Sequence, residues 1–173
     1  MNLREPISED EMIAVFVRGE LESERWREKI RALGDLDPRA LLEGHRGYER
    51  RRGLFHGFPR DVGWFRADLT REELLDIRYI DWDWWRDVSG GTRSPREAAR
   101  RIHAGEIPGV AADEHDPRFD HPLIAVTIPE LSPLVLLEGH VRLTAYALFP
   151  ERVPHQVEIL LGVSPHARDW ALF

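Results

Sequence analysis

The chain has 173 residues, 42% of them hydrophobic, which is enough for one real core and suggests one domain with an appendage rather than two full domains. Its 31 acidic and 24 basic side chains give a formal net charge of −7, so the chain as a whole carries no electrostatic footprint for nucleic acid, and any such binding would need a local patch. Cysteine is absent, which excludes disulfides, thiol nucleophiles and thiolate metal sites together.

The opening stretch, MNLREPISEDE, is acidic and polar where a secretory signal is basic and then apolar. Residues 1–44 read as helical. Ser8 and Glu11 make a capping-box pattern ahead of Met12, Ile13, Val15, Phe16 and Val17. Leu21, Trp26, Ile30 and Leu33 continue at roughly helical spacing, with Gly34 as a terminating residue. Asp37-Pro38 predicts a cap and a first-turn proline for a short helix through Leu42, ending near Gly44.

Residues 45–60, HRGYERRRGLFHGFPR, form the one basic segment, predicted as a glycine-rich loop. Its arginines could collect phosphates while Tyr48, Phe55 and Phe58 stack a base; the alternative is a solvated charged loop anchored by its aromatics. Its LLEGHR (41–46) echoes LLEGHVR (136–142), but one echo without a period is no repeat.

Val62–Ala67 predicts a strand, and Thr70 with Glu73 a second capping box that opens a helix through Leu74, Leu75 and Ile77. The run YIDWDWW (79–85) holds more tryptophan than one face of a helix or strand can bury, so a Trp there either packs or lines a pocket for a flat ligand. The loop SGGTR (89–93) precedes a helix with Ser94 as N-cap, Pro95 in the first turn, and Ala98, Ala99 and Ile102 on its inner face. Thr92 and Arg93 make this a second candidate anion contact. Residues 106–121 read as a polar loop whose Asp, Glu and His residues match no metal-ligand spacing, so no metal site is assigned.

Leu123–Val126, Leu134–Leu137 and Val157–Leu161 are short apolar runs that predict strands. Pro129, Glu130 and Pro133 break the most hydrophobic region well short of a membrane span, so the expectation is a soluble, cytoplasmic protein without a membrane partner. The most informative stretch is PLVLLEGHVRLTAYALF (133–149). A buried strand turns at Glu138 and Gly139 into a helix whose inner face is predicted as Val141, Ala145 and Leu148, stopped by Pro150. A helix start exposes backbone N–H donors that favour an anion, and Arg142 adds a permanent charge within the first turn. A phosphate cradle and an ordinary strand–turn–helix packing unit both fit this pattern.

In this order of elements, segment 62–162 resembles the ParB/sulfiredoxin-like nucleotide-binding fold. The counterparts are VGWFRA, the SPREAARRI helix, HPLIAV, LVLLEGHVRLTAYAL and HQVEILL. Gly139, Arg142, Ala145 and Tyr146 are similar to the sulfiredoxin run Gly-Cys-His-Arg-x-Ala-Ala-Tyr and the ParB run Gly-Glu-x-Arg-x-x-Ala. The resemblance implies an α+β fold, a small mixed sheet with packed helices over 61–173, and a helical extension with the Arg-rich loop over 1–60. It also implies nucleotide phosphates held at Gly139, His140 and Arg142. Sulfiredoxin's Cys and ParB's Glu both fall on His140, which excludes thiol chemistry, and no helix-turn-helix follows the fold.

The function expected is binding of a nucleotide or another phosphorylated small molecule, with phosphoryl transfer to a small molecule or NTP hydrolysis as the catalytic form. His140 is then the acid–base group, Glu138 the carboxylate nearest a divalent ion, and Gly139, Arg142, Thr92 and Arg93 the phosphate contacts. ATP or CTP with Mg is the implied cofactor. The alternative is a non-catalytic module that keeps the fold as a scaffold for a protein partner.

Overall fold

The computed structural model describes residues 1–108 and 121–173. Five strands, β1 (Asn2–Ile7), β2 (Gly63–Thr70), β3 (Leu123–Thr127), β4 (Val135–Glu138) and β5 (Gln156–Val163), form one mixed sheet in the order β1-β2-β5-β3-β4. The β1–β2, β2–β5 and β3–β4 pairs are antiparallel, and β3 and β5 run parallel. All five residues of β3 are buried, so that strand is covered on both faces. The α+β class and the mixed sheet match the expectation.

Among the described residues seven α-helices surround the sheet: α1 (Glu9–Glu22), α2 (Glu24–Arg31), α3 (Pro38–Arg46), α4 (Arg71–Leu75), α5 (Asp83–Val88), α6 (Pro95–His103) and α7 (His140–Leu148). Several begin where the local chemistry dictates. Ser8 Oγ accepts the Glu11 N–H at 3.1 Å, and Asp37 Oδ1 accepts the Ala40 N–H at 2.9 Å. Thr70 and Glu73 form a complete reciprocal capping box. Ser94 precedes Pro95 as expected, but its side chain makes no cap bond.

Two expectations need correction. The first residues are a strand, not helix: β1 pairs with β2 at the sheet edge and is exposed along nearly its whole length, so no burial period betrays it. The helical run then breaks at Ser23, whose backbone is extended. There Arg27 donates to the carbonyls of Leu21 and Glu22 at 3.0 and 3.1 Å, closing α1 as α2 turns away. The segment before residue 60 shares its core with the rest of the chain. One cluster of buried apolar side chains runs from Met12, Phe16, Leu42, Tyr48 and Phe55 through Ile124, Leu136 and Leu160 to Trp170.

The Arg-rich segment belongs to that core in part. Tyr48, Phe55 and Phe58 are 1%, 0% and 3% exposed, which removes them as base-stacking surfaces. Arg51 lies over the Tyr48 ring at 4.4 Å and donates to the Tyr48 and Pro59 carbonyls. Among the described residues no helix is long and apolar enough to cross a membrane. The polar loop in which no metal site was assigned falls largely on 109–120, outside the described residues.

Candidate functional site

The apolar run Val135–Leu137 is buried as β4, and the chain then reverses into α7 through Gly139 alone. Gly139 has φ +100°, a conformation that L side chains rarely adopt, and a methyl group there would run into Leu123 Cδ2. No side chain caps α7 among the described residues. Leu143, Ala145, Tyr146 and Leu148 hold the helix on the core. Val141, expected on that inner face, is 39% exposed instead, because the first turn overhangs a cleft.

This cleft has a volume of about 370 Å³. One wall is the end of α1 with Phe16, Gly19, Glu20 and Glu22, followed by Ser23, Trp26 on α2 and Arg46 on α3. The opposite wall is Leu137 to Arg142 with His121, and Ile80, Trp82, Trp84 and Trp85 close the side. Gly19 allows the close crossing: a β-carbon there would lie 2.6 Å from His121 Nε2 and 3.4 Å from Glu138 Oε1.

Charge on the walls is organised as two carboxylate–guanidinium pairs. Glu138 Oε2 accepts from Arg142 Nη2, and Arg142 Nη1 donates to the His121 carbonyl. Across the cleft, Glu20 Oε1 accepts from both Nε and Nη2 of Arg46, whose guanidinium lies over the Trp26 ring at 4.2 Å. Glu20 is 5% exposed, its Oε2 has no hydrogen-bond partner among the described residues, and His45 Nε2 stands 3.5 Å away. Burial is the main influence on the Glu138 carboxyl and pushes it above the usual carboxylate range. Arg142 opposes that shift and the Glu20 charge adds to it. Three carboxylates (Glu20, Glu22, Glu138) and two guanidiniums (Arg46, Arg142) leave the lining formally one charge negative.

His140 is the third member of an aromatic stack. Its ring lies 4.9 Å from Trp85 and 6.0 Å from Tyr79, both at 23°, and Tyr79 stacks on Trp85 at 4.4 Å. The Tyr79 hydroxyl meets Thr144 Oγ1 at 2.6 Å, and Thr144 Oγ1 donates to the His140 carbonyl at 2.8 Å, so stack and helix start are tied together. Burial, reinforced by Arg46 and Arg142, lowers the imidazole to about 3. The expected acid–base histidine titrating near working pH is therefore corrected: this ring is neutral there.

Of the residues assigned from sequence, Glu138, Gly139, His140 and Arg142 meet at this cleft, while Thr92 and Arg93 do not line it. Thr92 Oγ1 donates to the Ser89 carbonyl at 2.7 Å. Arg93 donates to the carbonyls of Tyr79 at 2.7 Å and Phe173 at 2.8 Å, so its guanidinium fastens the loop to the tail rather than an anion. Arg142, predicted as a free phosphate contact, is engaged by Glu138 and backbone carbonyls. Sequence reasoning missed Glu20, Arg46 and Trp26, all from the segment read as an appendage. Gly19 was the available signal, since glycine inside a helix costs stability and marks a close approach. The echoed LLEGHR stretches are helix at 41–46 and strand–turn–helix at 136–142, so they are no structural repeat. Comparison with protein-family models, curated proteins and solved structures gives no match to this chain.

Proposed function

We propose that the chain binds a nucleotide-class ligand in this cleft, with its ring against the tryptophan wall and its phosphate at the start of α7. One observation carries the reading: the helix start that no side chain caps opens into a cleft large enough for a small ligand and walled by Trp26, Trp82, Trp84 and Trp85. Tryptophan faces supply stacking area for a base, and the N–H groups of a first turn favour an anion. The resemblance of Gly139, Arg142, Ala145 and Tyr146 to the ParB/sulfiredoxin-like run supports the same placement.

Phosphoryl transfer draws less support than binding. His140 is held neutral, and Glu138 is committed to Arg142. Among the described residues no group of three or more His, Asp or Glu side chains is arranged to hold a metal ion. The described residues therefore offer no ready-made magnesium site, and any such ion would arrive on the phosphates.

Thermal unfolding with ATP, CTP and GTP, each with and without magnesium, tests the reading. A ligand at one hundred times its Kd adds about 2.7 kcal/mol to apparent stability. At least one nucleotide should raise the midpoint, and Trp84→Ala should weaken that rise. No shift with any of them refutes nucleotide binding. Trp82, Trp84 and Val141, 50%, 47% and 39% exposed at the rim, favour the second reading, a non-catalytic module that docks a protein partner there.

A further inference from the structure

We propose that the Glu138 carboxylate is a built-in occupant of the anion seat at the start of α7, which an incoming anion must displace with uptake of a proton. The inference rests on the nucleotide reading and deepens it by naming the residue that selects the ligand's charge.

The geometry supports it from three sides. Glu138 is the last residue of β4, two residues before His140 opens α7, and its carboxylate accepts from Arg142 Nη2 and lies against the Gly139 N–H. Those are the groups an anion would use. The second side is that neither guanidinium lining the cleft is spare. The titratable groups around Glu138 in the cleft are Glu20 and Glu22 from α1, Arg46 from α3, His121 before β3, and His140 and Arg142 from α7, with His45 standing behind Glu20 and Arg18 acting on His121. Both cleft-lining guanidiniums are already paired with carboxylates, and burial holds His121 and His140 toward the neutral form. An added phosphate would therefore meet a lining already one charge negative. The third is Glu20, which is 5% exposed, lines the same cleft and leaves Oε2 without a hydrogen-bond partner among the described residues. A buried acceptor of this kind calls for a closer donor than His45 Nε2 at 3.5 Å, and a protonated Glu138 or a ligand hydroxyl is the kind of group that supplies one.

Displacement separates Glu138 from its guanidinium. A carboxylate in this largely buried place, beside Glu20, is relieved by protonation, so one proton enters as the anion binds. Nothing else need change chemically. Replacing the carboxylate by an amide of the same shape vacates the charge without opening a hole.

Isothermal titration calorimetry on the full chain tests the inference with sulfate, which does not itself titrate between about pH 5 and 8, and with ADP. Wild type should bind with close to one proton taken up per anion, read from the dependence of heat on buffer ionisation. Its affinity should fall up to about tenfold per pH unit on the alkaline side. Glu138→Gln should bind sulfate roughly 10- to 100-fold tighter at pH 7.5, with no proton uptake of this origin. If ADP binds wild type without proton uptake and Glu138→Gln binds no tighter, the seat is not held by Glu138 and the inference falls while the nucleotide reading stands. If neither protein binds sulfate or any nucleotide, the nucleotide reading itself falls. Should Glu138→Gln fail to fold, proton uptake by the wild type decides alone.

Discussion

His140→Phe removes the one titratable ring of the aromatic stack while keeping a flat partner for Trp85 and Tyr79. His140 Nε2 is buried and has no hydrogen-bond partner among the described residues, so the exchange breaks no bond there. The wild-type imidazole is lowered from 6.5 to about 3 by burial first, then by Arg46 and Arg142. Below pH 6.5 the unfolded chain takes up a proton that the folded chain refuses. Folded stability therefore falls as pH drops from 6.5 toward 3, by about 1.4 kcal/mol per pH unit. Between pH 7 and pH 5 that amounts to about 2 kcal/mol. Lowered carboxyls elsewhere, among them Glu9, Glu73 and Asp81, lose stability on acidification in both proteins and cancel in the comparison. Urea unfolding of wild type and His140→Phe at both pH values should give similar stabilities at pH 7 and a variant about 2 kcal/mol the more stable of the two at pH 5. Parallel pH dependences would show that the ring is not held neutral, and would reopen it as an acid–base group.

Three further outcomes follow from contacts elsewhere in the chain. Arg50→Ala should change stability by less than about 0.5 kcal/mol in urea unfolding, since the side chain is 72% exposed, whereas Arg51→Ala should cost about 1–3 kcal/mol through two lost charge-assisted hydrogen bonds and the lost stack on Tyr48. Gly139→Ala should cost about 2–4 kcal/mol from the left-handed backbone and the collision with Leu123, measured the same way, and a loss under about 0.5 kcal/mol would mean the turn can relax.

What could be read from sequence was whatever local chemistry alone decides. The cap residues Ser8, Asp37 and Thr70, the apolar runs of β3, β4 and β5, and the turn at Gly139 each follow from a few neighbouring side chains. β1 could not be read, because an edge strand with exposed side chains carries no period and exists only through its pairing with β2. The same limit governs the site. Glu138, Gly139, His140 and Arg142 lie in one stretch and were found together. Glu20 and Arg46 stand about a hundred residues earlier, and only the crossing of α1 at Gly19 brings them to the cleft. Ion pairing was equally invisible. Arg142 and Glu138 are four apart across a strand–helix junction, where helical i,i+4 reasoning does not apply by itself, and Arg93 found carbonyls supplied by the far end of the chain.

The cleft also decides how the two ends of the chain depend on each other. Residues 1–60 contribute Glu20, Trp26 and Arg46 to one wall, and residues 61–173 contribute Trp84, Glu138 and Arg142 to the other. Neither wall's charge is balanced against the other half: each Arg pairs with a Glu of its own segment. The halves are joined away from the cleft, by the β1–β2 pairing, by ion pairs such as Arg66–Glu11 and Arg4–Glu158, and by apolar burial, with Met12, Phe16, Tyr48 and Phe55 in the same core as Ile124, Leu136 and Trp170. Cutting the chain at 60/61 would therefore leave both ion pairs possible and still destroy the site, because it strips the core on which the two walls are held a ligand's width apart. The N-terminal helices are half of the binding site and part of its foundation, and a function carried by segment 62–162 alone would lack the wall that faces α7.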